Sequence, residues 1–134
     1  MNYEDLVVGQ QAEISKVVTH QDIRMFADVS GDDNPVHFDN ELAKKTPFEG
    51  IIAHGMLSAT FISCVLGTVM PGPGTIYLGQ TLKFLAPVRP GERVRTVVTI
   101  KELIREKRRA ICATSCYVAD KMVIDGEATV MVPA

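Results

Sequence analysis

A chain of 134 residues with 46% hydrophobic side chains is long and apolar enough for one domain, residues 1–134, with a substantial core. Its formal net charge of −2 supplies no field to gather nucleic acid or an anionic membrane, and neither is expected as a partner. The acidic opening Met1-Asn-Tyr-Glu-Asp-Leu6 lacks the basic and apolar stretches of a secretory signal, which points to the cytoplasm.

A strand is expected at about 12–18. Thr19-His-Gln-Asp22 then reads as a helix start, with Thr19 as N-cap and Asp22 in the first turn. Ile23, Phe26 and Ala27 give that helix an apolar face, and it should end near Ser30-Gly31. Next comes Ser30-Gly-Asp-Asp-Asn-Pro-Val-His-Phe-Asp39. Pro35 fixes its own φ and pushes Asn34 out of the helical region, so this is a rigid loop. Asp39 is placed to cap a short helical turn over about 40–45.

Residues 51–70 contain no Lys, Arg, Asp or Glu, a run of membrane-spanning length. They also hold His54, Ser58, Thr60, Ser63, Thr68 and two glycines, without basic or aromatic flanks. The run is therefore read as a core helix from about His54-Gly55 to Gly67, buried nearly all round. Pro71-Gly-Pro-Gly74 is a turn.

Everything beyond reads as strands. In 75–88, Ile76, Leu78, Leu82 and Phe84 are expected on one face and Tyr77, Thr81 and Lys83 on the other. In 93–103, Val94, Thr96, Val98 and Ile100 alternate with Arg93, Arg95, Val97, Thr99 and Lys101. Segments 109–119 and 121–132 complete a series of hairpins. The implied class is α+β: a long central helix wrapped by an antiparallel sheet of about five strands. Such a sheet leaves edges, and pairing two subunits would remove one from each, so at least a homodimer is expected.

The loop carries the chemistry. Asp32 stands five residues before His37, and a rigid loop can aim both at one water for general acid–base work. Turn stabilisation is the alternative for residues of this kind. Asp33 is read as exposed or capping, His20 as exposed, and His54 as a hydrogen-bonded structural histidine. Cys64, Cys112 and Cys116 contain no C-x-x-C pair, hence neither a disulfide framework nor a zinc site. Cys112 and Cys116 are read as reduced core thiols. Arg105-Glu-Lys-Arg-Arg109 is a solvated hairpin turn or an attractor for phosphates. Lys83, Arg89, Arg93 and Arg95 compete with it for the second role. No Gly-rich phosphate loop and no metal-ligand pattern is evident.

Asp32-Asp-Asn-Pro-Val-His37 resembles the D-x-N-P-x-H pattern of R-specific enoyl-CoA hydratases, the MaoC-like branch of the hot-dog fold. His54-Gly-Met56, Tyr77-Leu-Gly-Gln80 and Phe84-Leu-Ala-Pro-Val-Arg-Pro-Gly91 are similar to that family's following segments, in order along nearly the whole chain. The resemblance implies reversible hydration of a trans-2-enoyl-CoA to the (R)-3-hydroxyacyl-CoA, with Asp32 and His37 as the acid–base pair. No cofactor is expected, because hydration transfers no electrons and CoA is part of the acyl-CoA thioester substrate.

The thioester oxygen gains charge in that reaction and needs a preorganised donor. Gly55 N–H, at the start of the long helix, is the candidate. Asn34 is expected to orient the loop. Ser63 matches a family position and is a supporting candidate, reaching the pocket or His37. Leu66 and Met131 are candidates for the acyl pocket, against ordinary core packing. The competing readings are a 3-hydroxyacyl-ACP dehydratase, a hot-dog thioesterase and a non-catalytic acyl-thioester binding module. A thioesterase needs a carboxylate from the long helix, and 51–70 offers none. A binding module has no use for the Asp32/His37 pair.

Overall fold

The structure is a computed structural model and describes residues 1–133. The elements are β1 (Gln11–Val17), α1 (His20–Ser30), α2 (Asn40–Ala43), α3 (Gly55–Thr68), β2 (Ile76–Phe84), β3 (Arg93–Ile104), β4 (Arg109–Val118) and β5 (Lys121–Met131). Local chemistry explains most boundaries. Thr19 Oγ1 accepts from Asp22 N at 3.0 Å while Asp22 Oδ2 accepts from Thr19 N at 3.0 Å, a reciprocal cap on α1. Gly31, at φ 79°, closes the same helix in a left-handed conformation and turns the chain into the Asp32 loop. Asp39 Oδ1 accepts from the amides of Glu41 and Leu42 to start α2.

The five strands form one antiparallel sheet in the order β1-β3-β4-β5-β2. The fold is α+β and of the hot-dog type, with α3 on one face of the sheet. On β3 the alternation is as expected: Val94, Thr96, Val98 and Ile100 are buried. Leu57, Phe61, Ile62, Val65 and Leu66 of α3 share the core with them and with Ile124, Ala128 and Val130 of β5.

Two expectations need correction. On β2 an irregularity between Tyr77 and Gly79 lets Tyr77 pair with Val130 and Gly79 with Thr129. One extra residue on β2 shifts the phase of the strand. Tyr77, not Ile76, therefore shares the inward side of Gln80, Leu82 and Phe84, which pair with Ala128, Gly126 and Ile124. Burial accordingly pushes the Tyr77 hydroxyl up to about 12. Nor is α3 buried all round. Met56, Thr60, Ser63, Cys64 and Gly67 are exposed, because one sheet wraps only one side of a helix.

Among the described residues no helix is long and apolar enough to cross a membrane. All three cysteines are free, Cys112 and Cys116 buried and Cys64 exposed. The basic segment forms a short turn, Arg105–Lys107, between β3 and β4. Arg105 is bound to Glu4 at 2.6 Å.

Candidate active site

Asp32 lies just beyond α1 and is solvent-exposed. Its Oδ1 accepts from Asn34 N at 3.2 Å, and Asn34 Oδ1 accepts from Val36 N at 3.2 Å. Those bonds start a tight turn, Pro35–His37, which carries His37 inward until it is only 6% exposed. Asn34 thus caps the turn that carries His37.

His37 Nδ1 lies 2.8 Å from the carbonyl oxygen of Ile52. A carbonyl only accepts, so Nδ1 carries the proton and neutral His37 presents a lone pair at Nε2. Burial holds the imidazole below its ordinary value, and the neighbouring His54 pushes the same way. The Ile52 carbonyl and Asp32 oppose them.

His54 is the hydrogen-bonded, buried histidine that the sequence suggested, and its partners are now visible. It is 3% exposed and its Nε2–H donates to the backbone carbonyl of Asp32 at 2.9 Å. Its ring stacks on His37 with centroids 3.7 Å apart and planes 28° apart, and Phe26 packs against it at 4.8 Å. One side chain therefore holds both ends of the Asp32–His37 loop. Atoms of Asp32, His37 and His54 able to bind a cation lie within 4.8 Å of one another, a cluster the sequence did not suggest. The geometry is poor for a shared ion. Nδ1 of His37 and Nε2 of His54 are already bonded, and lone pairs on stacked rings lie in nearly parallel planes.

Asp32, His37, His54, Gly55 and Ser58 are the polar lining of a cavity of about 370 Å³, whose walls include Ile52, Phe84, Val88 and Ile124. Gly55 is the first residue of α3, where the helix dipole is positive. A Cβ there would lie 2.6 Å from the Phe84 ring, so glycine is what lets that ring lie over the helix start.

Three candidates lie elsewhere. Ser63 lines a neighbouring groove with Met56, Tyr77 and Gln80. It is eight residues from Gly55, roughly 12 Å along the axis. Leu66 is 1% exposed within the core. Met131 is paired with Ile76 and Arg109, at the other end of β5 from Ile124. None of the three lines this cavity. Ser58 does, and helical spacing would have found it, since i and i+3 share a face. Among the cations, Arg89 bonds to the carbonyl of Phe48, itself a lining residue. Lys83 neighbours Phe84 on β2. Arg93 and Arg95 line a separate depression, and Arg95 stacks on Tyr117 and pairs with Glu13 at 3.7 Å.

Comparison with known proteins settles the family. A family model described as a MaoC like domain matches residues 7–123. The chain belongs to the MaoC-like family. It is 53% identical over 132 residues to an (R)-specific enoyl-CoA hydratase of Rhodospirillum rubrum, covering 98% of this chain and 92% of that one. It is 49% identical to a 3-hydroxybutyryl-CoA dehydratase of Methylorubrum extorquens, covering 98% of this chain and 83% of that one. The unliganded R-hydratase of Pseudomonas aeruginosa superposes with a TM-score of 0.92 at 47% identity, covering 98% of this chain and 85% of the other. The MaoC-like assignment accounts for the sheet-wrapped helix and for the loop between α1 and α2.

Proposed function

We propose that residues 1–134 act as one catalytic unit, an (R)-specific enoyl-CoA hydratase, a hydro-lyase that adds water reversibly to trans-2-enoyl-CoA. The observation that carries this reading is the pairing of exposed Asp32 with buried, neutral His37 in an apolar cavity at the N-terminus of α3. The two groups hold one water between them. As its oxygen bonds to C3, one water proton passes into the pair and one proton leaves the pair for C2. The C2=C3 electrons shift transiently onto the thioester oxygen and return as C2 is protonated. Gly55 N–H is the donor placed for that oxygen. Proton order within the pair belongs to both groups titrating together. The reaction involves no net oxidation or reduction and so calls for no redox cofactor.

Arg89 and Lys83 flank the segment 84–88 that walls the cavity, which supports them over Arg93 and Arg95 as partners of the CoA phosphates. The test is loss of enoyl-thioester absorbance from crotonyl-CoA, with an R-specific hydroxyacyl-CoA dehydrogenase identifying the product. Faster turnover of an enoyl-carrier protein than of any enoyl-CoA would move the substrate to the carrier-bound form.

The reading carries a pH prediction. With neutral His37 Nε2 as the acceptor of the water proton, kcat/KM should be level near neutrality and fall on the acid side with an apparent pKa below 6.5. An acid limb centred above that value would contradict it. Stability has the same sign. The unfolded chain binds this proton near the ordinary value and the folded chain binds it lower, so the contribution is complete above pH 6.5 and is lost as pH falls through the folded pKa.

A homodimer is part of the proposal. β2 is a sheet edge with Ile76 49%, Tyr77 40%, Leu78 44% and Phe84 52% exposed, beside Met56 of α3 at 52%. An exposed strand edge with apolar residues at both ends is suited to a second copy of itself. Leu78→Asp is expected to halve the molar mass measured by light scattering, and an unchanged mass would place the contact elsewhere. A cytoplasmic location agrees with three free thiols.

A further inference from the structure

Ser58 lies one turn into α3, three residues after Gly55. It is 1% exposed, and its hydroxyl bonds to no protein atom. The two threonine hydroxyls on this helix behave differently. Thr60 Oγ1 donates to the Leu57 carbonyl at 2.6 Å and Thr68 Oγ1 to the Cys64 carbonyl at 2.6 Å. That return bond to the preceding turn is the usual outlet for a helical hydroxyl. Ser58 does not take it, although it lines the same cavity as Asp32, His37 and Gly55. A buried hydroxyl without a partner costs about 1–3 kcal/mol. An alanine would fit the same helix at no such cost, and the hydroxyl is left free for a group that enters the cavity.

We propose that Ser58 Oγ–H donates a hydrogen bond to the thioester oxygen of the bound substrate, beside Gly55 N–H, and is a catalytic residue of the hydration. Residues three apart on a helix have side chains about 5–6 Å from one another on one face. An amide at the helix start and a hydroxyl one turn on can therefore converge on one oxygen between them. Both donors stand on the opening turn of α3, at its positive end, so neither has to move as charge develops. The free pair of Ser58 oxygen electrons has no role in the bond, which asks only for the hydroxyl proton. This assignment rests on the hydratase reading.

The variants are Ser58→Ala and Ser58→Thr, measured on the full chain with crotonyl-CoA. Ser58→Ala is expected to lose about 10²-fold in kcat with KM little changed. Its melting temperature should be equal to or above that of the parent, because an unpaired buried hydroxyl has been removed. Ser58→Thr, which keeps the hydroxyl, should recover most of the rate. Bound acetoacetyl-CoA gives an independent signal: its enolate absorption band should be strong in the parent and weak in Ser58→Ala. An unchanged kcat in Ser58→Ala overturns the proposal. So does a loss of rate that follows a lowered melting temperature and is shared by Ser58→Thr, since that pattern belongs to packing. Absence of turnover and of an enolate band in the parent itself would overturn the hydratase reading and this assignment together.

Discussion

Asp32→Asn and His37→Gln are each expected to lower kcat for crotonyl-CoA hydration by about 10²–10⁴-fold, the usual contribution of a positioned acid or base. The two variants should differ in stability. Asp32 is exposed, and asparagine keeps an oxygen for the Asn34 amide, so the fold should shift by less than about 0.5 kcal/mol. His37 is buried, donates to the Ile52 carbonyl and stacks on His54. Its removal breaks that bond and unsupports the His54 ring, with a loss of roughly 1–3 kcal/mol. The double variant should lose little more activity than either single one, because groups that share one water act as a unit. Rates come from enoyl-thioester absorbance and stabilities from thermal melts. A variant of Asp32 that stays within tenfold of the parent would remove it from the reaction.

Gly126→Ala is the substitution expected to cost most stability. Gly126 sits on β5 between Thr114 of β4 and Leu82 of β2. A Cβ there would lie 2.1 Å from the Thr81 carbonyl oxygen and 2.8 Å from Gln80 Nε2. The Gln80 amide can swing away. The Thr81 oxygen is backbone, and it is bonded to that same amide at 2.8 Å. Only separation of β2 from β5 relieves the contact. Overpacking of this kind costs about 3 kcal/mol, or roughly 10 °C in melting temperature at this chain length. β2 also carries Phe84 over Gly55 and the edge proposed for the second subunit. Activity and molar mass should therefore decline with the melting temperature. A variant that melts with the parent would show that β2 is not held where the structure places it.

Much of this molecule follows from short stretches of chain. Thr19 and Asp22 cap α1, Pro35 stiffens the loop, the charge-free run becomes α3, and β3 alternates residue by residue. Each depends on neighbours within four positions, where backbone sterics and hydrogen bonds act without help from the rest of the fold. The Asp32–His37 pair was legible for the same reason, since a proline-set turn places both ends.

Other features depend on partners far along the chain. The phase of β2 is set by its register on β5, and the extra residue Leu78 puts Tyr77 on the same face as Gln80 and Leu82. Which face of α3 is covered depends on where the sheet lies, so Ser58 faces the cavity and Ser63 the open groove. His54 acquires its place from contacts with Phe26, Asp32 and His37, between 17 and 28 residues away. The sequence by itself determined most elements, the loop and the placing of Asp32 and His37 at its two ends, because their causes are local. The tertiary structure decided which hydroxyl, which ring and which strand face line the cavity, because those depend on packing between segments that only the folded sheet brings together.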